Sequence, residues 1–557
     1  MTRNRYKQID YEGGFPVFLI EITWGGKIYR LAQYPMELNS DQGIIGYTGG
    51  LIEFQFKESS DFLDHDLEAN IVSCSLIFDE VKVLKMISNG QVLEGSKAEF
   101  SMVIFKAGKF QKSYEDRIIL MKGKVQEPQY GDPLDIDGSV SLSIEADPID
   151  ESRLIMNPLE TIDQRFNNRD VDTADGKSWP IIIGTPNGSY SVNGIFNRLY
   201  CTPMYCYDKY TGVGSTGKFL ISSGVVSSTS VMAQDDEFDL GTQPVFNSVD
   251  STGHIYSYIG FDGFDTIATP STVSPPQING SSREWWVSFN EGGMLNPFGD
   301  GILTGGGDIC RWALQKTGLI IDDGAWANIS TMLNKYQFSG YINDPTLGAW
   351  DWLAGNILPF LPISIRVGPQ GIKPIYNNLQ AISHVIPIKY ISLNNIDDAS
   401  EFSQISAVET IRATGELINR YTLNFGKSGY DQDYTQQVRV TNIQEQDIDI
   451  LSEYSNVSIN RYGIQETAES SDYIYERTTA EMIALQKVKS NSFPIRAVEI
   501  SAPFHYGGLM IGDIIGVTSK FLEIEKMKMM IIAKEWTGIL WNFKLAYQDN
   551  QIINIRK

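Results

Sequence analysis

The chain has 557 residues, 42% hydrophobic and 20% charged, with a net charge of −23. This is ordinary globular composition, and three or four domains of roughly 100–200 residues each are expected. The acidic balance argues against a broad basic face of the kind that grips nucleic acid, its first use being solubility, although a negative wall would also let DNA slide past.

Tyrosine and phenylalanine are plentiful (27 and 26) and glycine is common (50), which favours strands joined by many turns. Residues 16–34 read as a hairpin, with Gly25-Gly26 between two apolar runs. Strands are expected at 51–56, 71–78, 100–105 and 117–125. Val140, Leu142 and Ile144 alternate with Ser139, Ser141 and Ser143, the period of a half-buried strand. Residues 1–155 therefore predict a tube-like β-barrel domain. The polar stretch 150–178 reads as a helix or linker. A small β-rich insertion domain is expected at 156–300, with strands at 179–183, 218–226, 254–259 and 285–289.

After Gly305-Gly306-Gly307 the pattern changes, and an α+β domain is expected over 301–385. A helix starting at Asp308 puts Ile309, Trp312 and Ala313 on one face and ends near Gly318. A second helix is expected at 326–333 and a strand at 336–341. Asp344-Pro345 supplies an N-cap and a first-turn proline for a third helix carrying Trp350, Leu353, Ala354 and Ile357. A hairpin at 361–367 and 372–376 closes the domain. Residues 386–557 return to strands, with one helix at 477–489, strands at 421–425, 495–500 and 513–517, and alternation through Met527, Met529 and Ile531 and through Trp541, Phe543, Leu545 and Tyr547. They predict a second tube-like barrel. The fold class is thus mainly β with an α+β insertion.

No motif carries chemistry. Gly212-Val213-Gly214-Ser215-Thr216-Gly217-Lys218 imitates a phosphate-binding loop. However, Phe219 stands where a magnesium-binding hydroxyl is needed, and the stretch from Phe219 to Val226 reads as a strand. Histidines 65, 254, 384 and 505 are far apart in sequence. The acids around His65, the Asp135–Asp137 run and the Asp235-Asp236-Glu237 and Asp239 run read as solvated turns; the second departs from a calcium loop at Pro133 and Ile144. Glu284 and Glu291 flank Trp285, Trp286 and Phe289 on one strand, where exposed tryptophans could stack on sugars. Cys74 and Cys310 stand alone. Cys201 and Cys206 have the wrong spacing for zinc or redox work, and a local disulfide is open to them. The expected catalytic, cofactor and metal sites are therefore none. The first residues, MTRNRYKQIDYEGG, hold no apolar segment of the secretory kind, and no apolar run exceeds strand length, so synthesis and assembly in a cytoplasm are expected.

Three pieces, in this order, resemble the hub-type tail proteins of tailed phages, including the baseplate hub of T-even-type phages. They are Gly123-Lys124-Val125 through Glu127-Pro128-Gln129-Tyr130-Gly131-Asp132 with the strand 140–145 and Trp179–Gly184, the α+β unit 305–376, and Gly508–Thr518 with its Gly512-Asp513. The resemblance spans about half the chain and leaves 185–300 unmatched. It implies a virion structural protein without enzymatic activity. The implied assembly is a homotrimer whose two barrels per subunit form a six-barrel ring between a sixfold tail tube or distal tail ring and a threefold spike or fibre. Other implied partners are the tape measure protein and phage DNA passing through without sequence-specific binding, all in a virion assembled in the host bacterial cytoplasm. The alternatives are a receptor- or carbohydrate-binding tail-tip protein working through 185–300, and a cell-wall hydrolase.

Overall fold

The computed structural model describes residues 15–59, 70–78, 83–105, 113–131, 139–146, 152–172, 174–192, 195–208, 216–234, 239–262, 285–289, 291–377, 379, 386–392, 409–429, 432–502, 504–519, 524–538 and 540–549. The chain is mainly β, with a few helices and a closed six-stranded barrel. It divides into two units. One comprises Met1–Ile149, Ile363–Thr414 and Phe493–Lys557; the other comprises Asp150–Pro362 and Gly415–Ser492.

The first unit is organised by a 13-stranded sheet. In chain order its strands are β1 (Phe15–Trp24), β2 (Lys27–Ala32), β3 (Leu51–Ser59), β4 (Ile71–Ile77), β5 (Lys97–Phe105), β6 (Ile118–Tyr130), β7 (Ser139–Glu145), β8 (Lys389–Ser392), β9 (Glu409–Arg412), β10 (Ile495–Ala502), β11 (Ile514–Ser519), β12 (Ile524–Trp536) and β13 (Trp541–Gln548). Their main spatial order is β2-β1-β5-β6-β7-β4-β3-β12-β13-β10-β9, and β11 pairs with both β12 and β8. The first two strands form the expected hairpin, with Gly25 and Gly26 both at positive φ.

The alternating pattern of the sequence does what period-two patterning requires. Val72, Cys74 and Leu76 on β4, and Val140, Leu142 and Ile144 on β7, are buried on one face, leaving serines on the other. The two ends of the chain share one apolar core. Phe18 stacks on Trp536 at 5.6 Å between ring centres, Phe56 meets Trp541 edge-on at 6.4 Å, and Trp536 and Trp541 lie 5.0 Å apart. The pairing that brings them together is antiparallel, β3 with β12, from Phe56 opposite Trp536 to Ser59 opposite Ala533.

Two glycines of the hub-like pieces have steric reasons. A Cβ on Gly123 would lie 1.8 Å from the Glu145 carbonyl oxygen of the neighbouring strand, and Gly512 holds φ +86° with Ile375 2.6 Å from where its Cβ would be. Asp513 then closes the turn by accepting from the Met510 amide at 2.8 Å.

The second unit contains the closed barrel, built from Thr202–Asp208, Thr216–Ser223, Ser230–Gln234, Asp239–Val249, Ile255–Asp262 and Trp285–Phe289. Phe219, Ile221, Val231, Ile259, Val287 and Phe289 fill it. The same unit holds helices Gly306–Lys316, Asp323–Leu333 and Ala349–Asn356, and a four-stranded sheet with helices Glu453–Tyr462 and Arg477–Asn491. Gly318 lies just beyond the first helix at φ +75°, and Asp322 caps the second by accepting from the Ala325 amide at 3.0 Å.

Several local expectations need correction. The polar stretch 150–178 holds no helix among its described residues. It is a series of turns bound by Arg165, which donates to the Leu159 and Thr161 carbonyls at 2.6 and 2.9 Å and pairs with Asp250 at 2.7 Å. Ile162 and Phe166 pack there on Trp179, Tyr207 and Tyr256, too sparse an apolar set to give a period. Asp344 caps a turn and not a helix, because its carboxylate takes the Thr346 amide at 2.9 Å and the helix starts only at Ala349, capped by Gly348. The strand expected at 336–341 is shorter and later, Gly340–Ile342, paired with Ile181–Ile183. Helices Val83–Ser88 and Glu453–Tyr462 had no sequence signal strong enough to place them.

Truncating Trp541, fully buried among Phe56, Trp536 and Lys534, is expected to cost roughly 3–5 kcal/mol. Urea unfolding of Trp541→Ala, monitored by far-ultraviolet circular dichroism, measures it.

Candidate functional surface

The feature of the first unit that looks made for a purpose is the solvent face of β6-β7-β4-β3. Strand register lays polar residues in rows. Gln126, Ser143, Ser73 and Gln55 form one row; Gln129, Ser141, Ser75 and Glu53 form the next. Ser75 and Ser141 share a hydrogen bond of 3.0 Å between hydroxyls, and Gln55 donates to Glu535 on β12. These rows line an open groove of about 750 Å³ that also includes Thr537 and Gly538.

Among the described residues, the groove lining holds two carboxylates, Glu53 and Glu127, and no lysine or arginine. Glu127 sits in a β-bulge between Gln126 and Gln129, at a positive φ of 44°. A non-glycine residue in this region costs energy that the surrounding structure has to offset. Chemically the face offers neutral hydroxyls and amides with a little negative charge. The groove can be wetted; the cations of this face, Lys57 and Lys124, lie in the row beyond it, with Ile71 and Glu145 between them.

Behind it the sheet is held by a buried charge cluster. Glu58 on β3 lies opposite Lys534 on β12. Arg366, on the hairpin Ile363–Gly368 and Gly371–Tyr376, forms an ion pair with Glu58 at 2.5 Å and donates to Asn70 at 3.3 Å. Asn70 in turn donates to the Val367 carbonyl at 3.1 Å, and Lys534 donates to the Gly507 carbonyl. Arg366 is only 2% exposed and Lys534 5%. Burial by itself would raise the Glu58 pKa, but Arg366, Lys534 and Lys373 more than offset this and hold its carboxyl below the usual range. Lys534 is pushed down to about 8, first by burial and then by the neighbouring Arg366 and Lys373, against the pull of Glu58 and Asp513.

The residues singled out in the sequence do not converge. Lys218 lies in a strand of the closed barrel and pairs with Asp208 at 2.9 Å, so the phosphate-loop imitation ends in a strand; Gly212–Ser215 lie outside the described residues. Trp285 and Trp286 are buried, not exposed: Trp285 packs on Phe219 and Trp286 on Tyr341, in the interior of the second unit. They are core, which withdraws them as a sugar-stacking surface. Glu291 is exposed, while Glu284 lies outside the described residues.

Cys74, Cys201, Cys206 and Cys310 are all buried free thiols, so no disulfide joins Cys201 to Cys206. Burial pushes the Cys74 and Cys201 thiols up to about 12. His254 is half-buried against the edge of Trp179; His65 and His384 lie outside the described residues, and so does the side chain of His505. The acid runs at Asp61–Asp66, Asp135–Asp137 and 235–237 also lie outside them. Among the described residues no three of His, Cys, Asp and Glu gather as a metal site would require. Among the described residues no helix is long and apolar enough to cross a membrane.

The serine rows were half visible in the sequence, as Ser139-x-Ser141-x-Ser143 and Ser73-x-Ser75. Their continuation through Glu53 and Gln55, and the Glu58–Arg366–Lys534 cluster, were not.

No protein-family model matches the chain, and no curated protein matches its sequence. Among solved structures it is similar to the tail protein from Neisseria meningitidis MC58, with 10% identity and a TM-score of 0.38 over 96% of this chain and 97% of that one. It is also similar to a chain in the virion of the native gene transfer agent (GTA) particle, with 10% identity and a TM-score of 0.39 over 70% of this chain and 92% of the other. Likenesses at this level carry no argument about function.

The charge cluster predicts a pH dependence. Lys534 binds its proton less readily folded (about 8) than unfolded (10.5). Stability should therefore rise as pH increases from about 8 to 10.5. Glu58 acts at the other end, its contribution being present above its unfolded value of 4.5 and lost as pH falls through its lower folded value. Lys534→Met should flatten the alkaline rise. Arg366→Met, which leaves Glu58 without its main partner, should cost about 3–5 kcal/mol. Urea midpoints measured across pH check each outcome.

Proposed function

We propose that this protein is a structural component of a bacteriophage tail, a homotrimeric hub that joins the sixfold tail tube to a threefold tail tip or spike and forms part of the path for DNA. The observation that carries the proposal is the polar groove on β6-β7-β4-β3, whose described lining holds carboxylates and no lysine or arginine. Proteins that bind DNA place lysine and arginine against its phosphates. A conduit needs the reverse: a hydrated wall that offers no counterion and whose carboxylates keep phosphate at a distance. Rows of serine and glutamine with Glu53 and Glu127 are such a wall.

The long, mostly antiparallel sheet supports the reading from a second side. Each tube-like barrel of the hub would draw on these strands. The order of the hub-like pieces along the chain adds to it. Partners on this reading are the tail tube or distal tail ring, the spike or fibre proteins and the tape measure protein. The role is assembly and genome ejection in a virion, without catalysis.

Light scattering and electron microscopy of the purified protein test the assembly, with rings of three copies around a lumen expected. A monomer at micromolar concentration, with no ring, would count against the hub. A second test addresses the wall. Ser73, Ser141 and Ser143 are solvent-facing, so Ser73→Lys, Ser141→Lys and Ser143→Lys together should leave folding intact. In particles carrying the triple variant, genome ejection should slow and DNA retention should rise with falling salt. Ejection unchanged at low salt would remove this face from the DNA path.

A further inference from the structure

The second unit contains a separate polar cavity of about 240 Å³, lined by residues from Tyr341–Leu347, Lys427–Gln432 and Asp472–Tyr475 together with Cys201. Two of its charged residues pair with each other. Lys427 pairs with one oxygen of Asp472 at 2.7 Å, and the other oxygen accepts from the Tyr434 hydroxyl at 2.5 Å. Asp344 is occupied by the amide and hydroxyl of Thr346 at 2.9 and 2.7 Å, contacts that hold its pKa low. An anionic ligand would have to break the Lys427–Asp472 pair and leave Asp472 without its partner.

What remains available is neutral. Among the described residues no hydrogen bond reaches the Tyr341 hydroxyl, and Tyr473 contributes a second ring, itself fixed by Trp352 at 2.8 Å and by the Tyr341 carbonyl at 3.0 Å. Asn343 stands exposed at the rim with only a long 3.4 Å contact to Tyr205, and Gln432 is held at a positive φ of 57° with its side chain turned to the Gly429 carbonyl. Among the described residues, aromatic rings beside amide and hydroxyl groups suit a ring that is apolar on its face and hydroxylated at its rim. The volume falls below the roughly 300–1,000 Å³ of drug-sized sites, which limits the occupant to one or two small rings.

We infer that this cavity binds a neutral sugar residue, a hexose or N-acetylhexosamine, with Tyr341 and Tyr473 beside the ring and Asn343 and Gln432 at its hydroxyls. The site lies within one unit, and sugar binding there is independent of whether the protein is a tail hub.

The test uses the full-length protein with two probes, chitotriose and maltotriose, in saturation-transfer NMR and calorimetry. At least one should bind at millimolar concentration. Preference for chitotriose would point to an amino-sugar glycan of the cell-wall kind, and preference for maltotriose to a plain glucan. Tyr341→Phe and Asn343→Ala each remove one hydrogen-bonding group and should weaken binding about three- to tenfold, with unchanged thermal midpoints. Asn343→Trp, which plugs the rim, should abolish binding while the fold, monitored by circular dichroism, is retained. No saturation transfer to either probe, or binding that persists in a folded Asn343→Trp variant, would overturn the inference.

Discussion

The first unit depends on one seam, where β3, from the start of the chain, pairs with β12, from its end. Four backbone pairs cannot by themselves offset the entropy of closing a loop of several hundred residues. The seam adds two further components. At one end it buries Phe56, Trp536 and Trp541 with Phe18 and Phe100. Two residues along, on the same face, it sets Glu58 against Lys534 and Arg366. The aromatic end supplies most of the net gain, since apolar burial contributes with little geometric demand. The charged end contributes little net stability once desolvation is counted, but a displaced register would leave Glu58 or Arg366 buried and unpaired. The cluster therefore selects one alignment of the two chain ends.

That alignment also governs the polar face. Side chains alternate across a strand, so a one-residue slip between β3 and its neighbours would turn Glu53 and Gln55 inward and Phe54 and Phe56 outward. The rows of serine, glutamine and glutamate are continuous only because β3, β4, β7 and β6 keep their present register. The bulge at Gln126–Gln129, with its strained Glu127, lies at the end of these rows and keeps a carboxylate in the groove. Core and surface are two readings of the same register.

The second unit uses different means. Its closed barrel has no free edge to protect; Trp285 packs inside it on Phe219, while Trp286 packs on Tyr341. Two adjacent tryptophans on a strand point to opposite faces, and here both faces are covered. A sequence window cannot distinguish that arrangement from one with a face in solvent. The cavity at Tyr341 and Tyr473 was invisible for a similar reason, as its lining comes from four separate stretches between Cys201 and Tyr475.

The amino-acid sequence by itself determined the mainly β class, most strands within a few residues, the hairpins at Gly25-Gly26 and at 363–376, and the helices at 306–316 and 477–491. These arise from local period and turn chemistry, which act over a handful of residues. It also carried the serine alternation on β4 and β7. Only the tertiary structure decided that the two ends of the chain share a sheet, that the closed barrel lies at Thr202–Phe289, that Trp285 and Trp286 are interior, and that Glu58, Lys534 and Arg366 meet. The physical reason is the same in each case. Which strand lies beside which, and which face meets water, are settled by packing between segments hundreds of residues apart, and no local pattern records that choice.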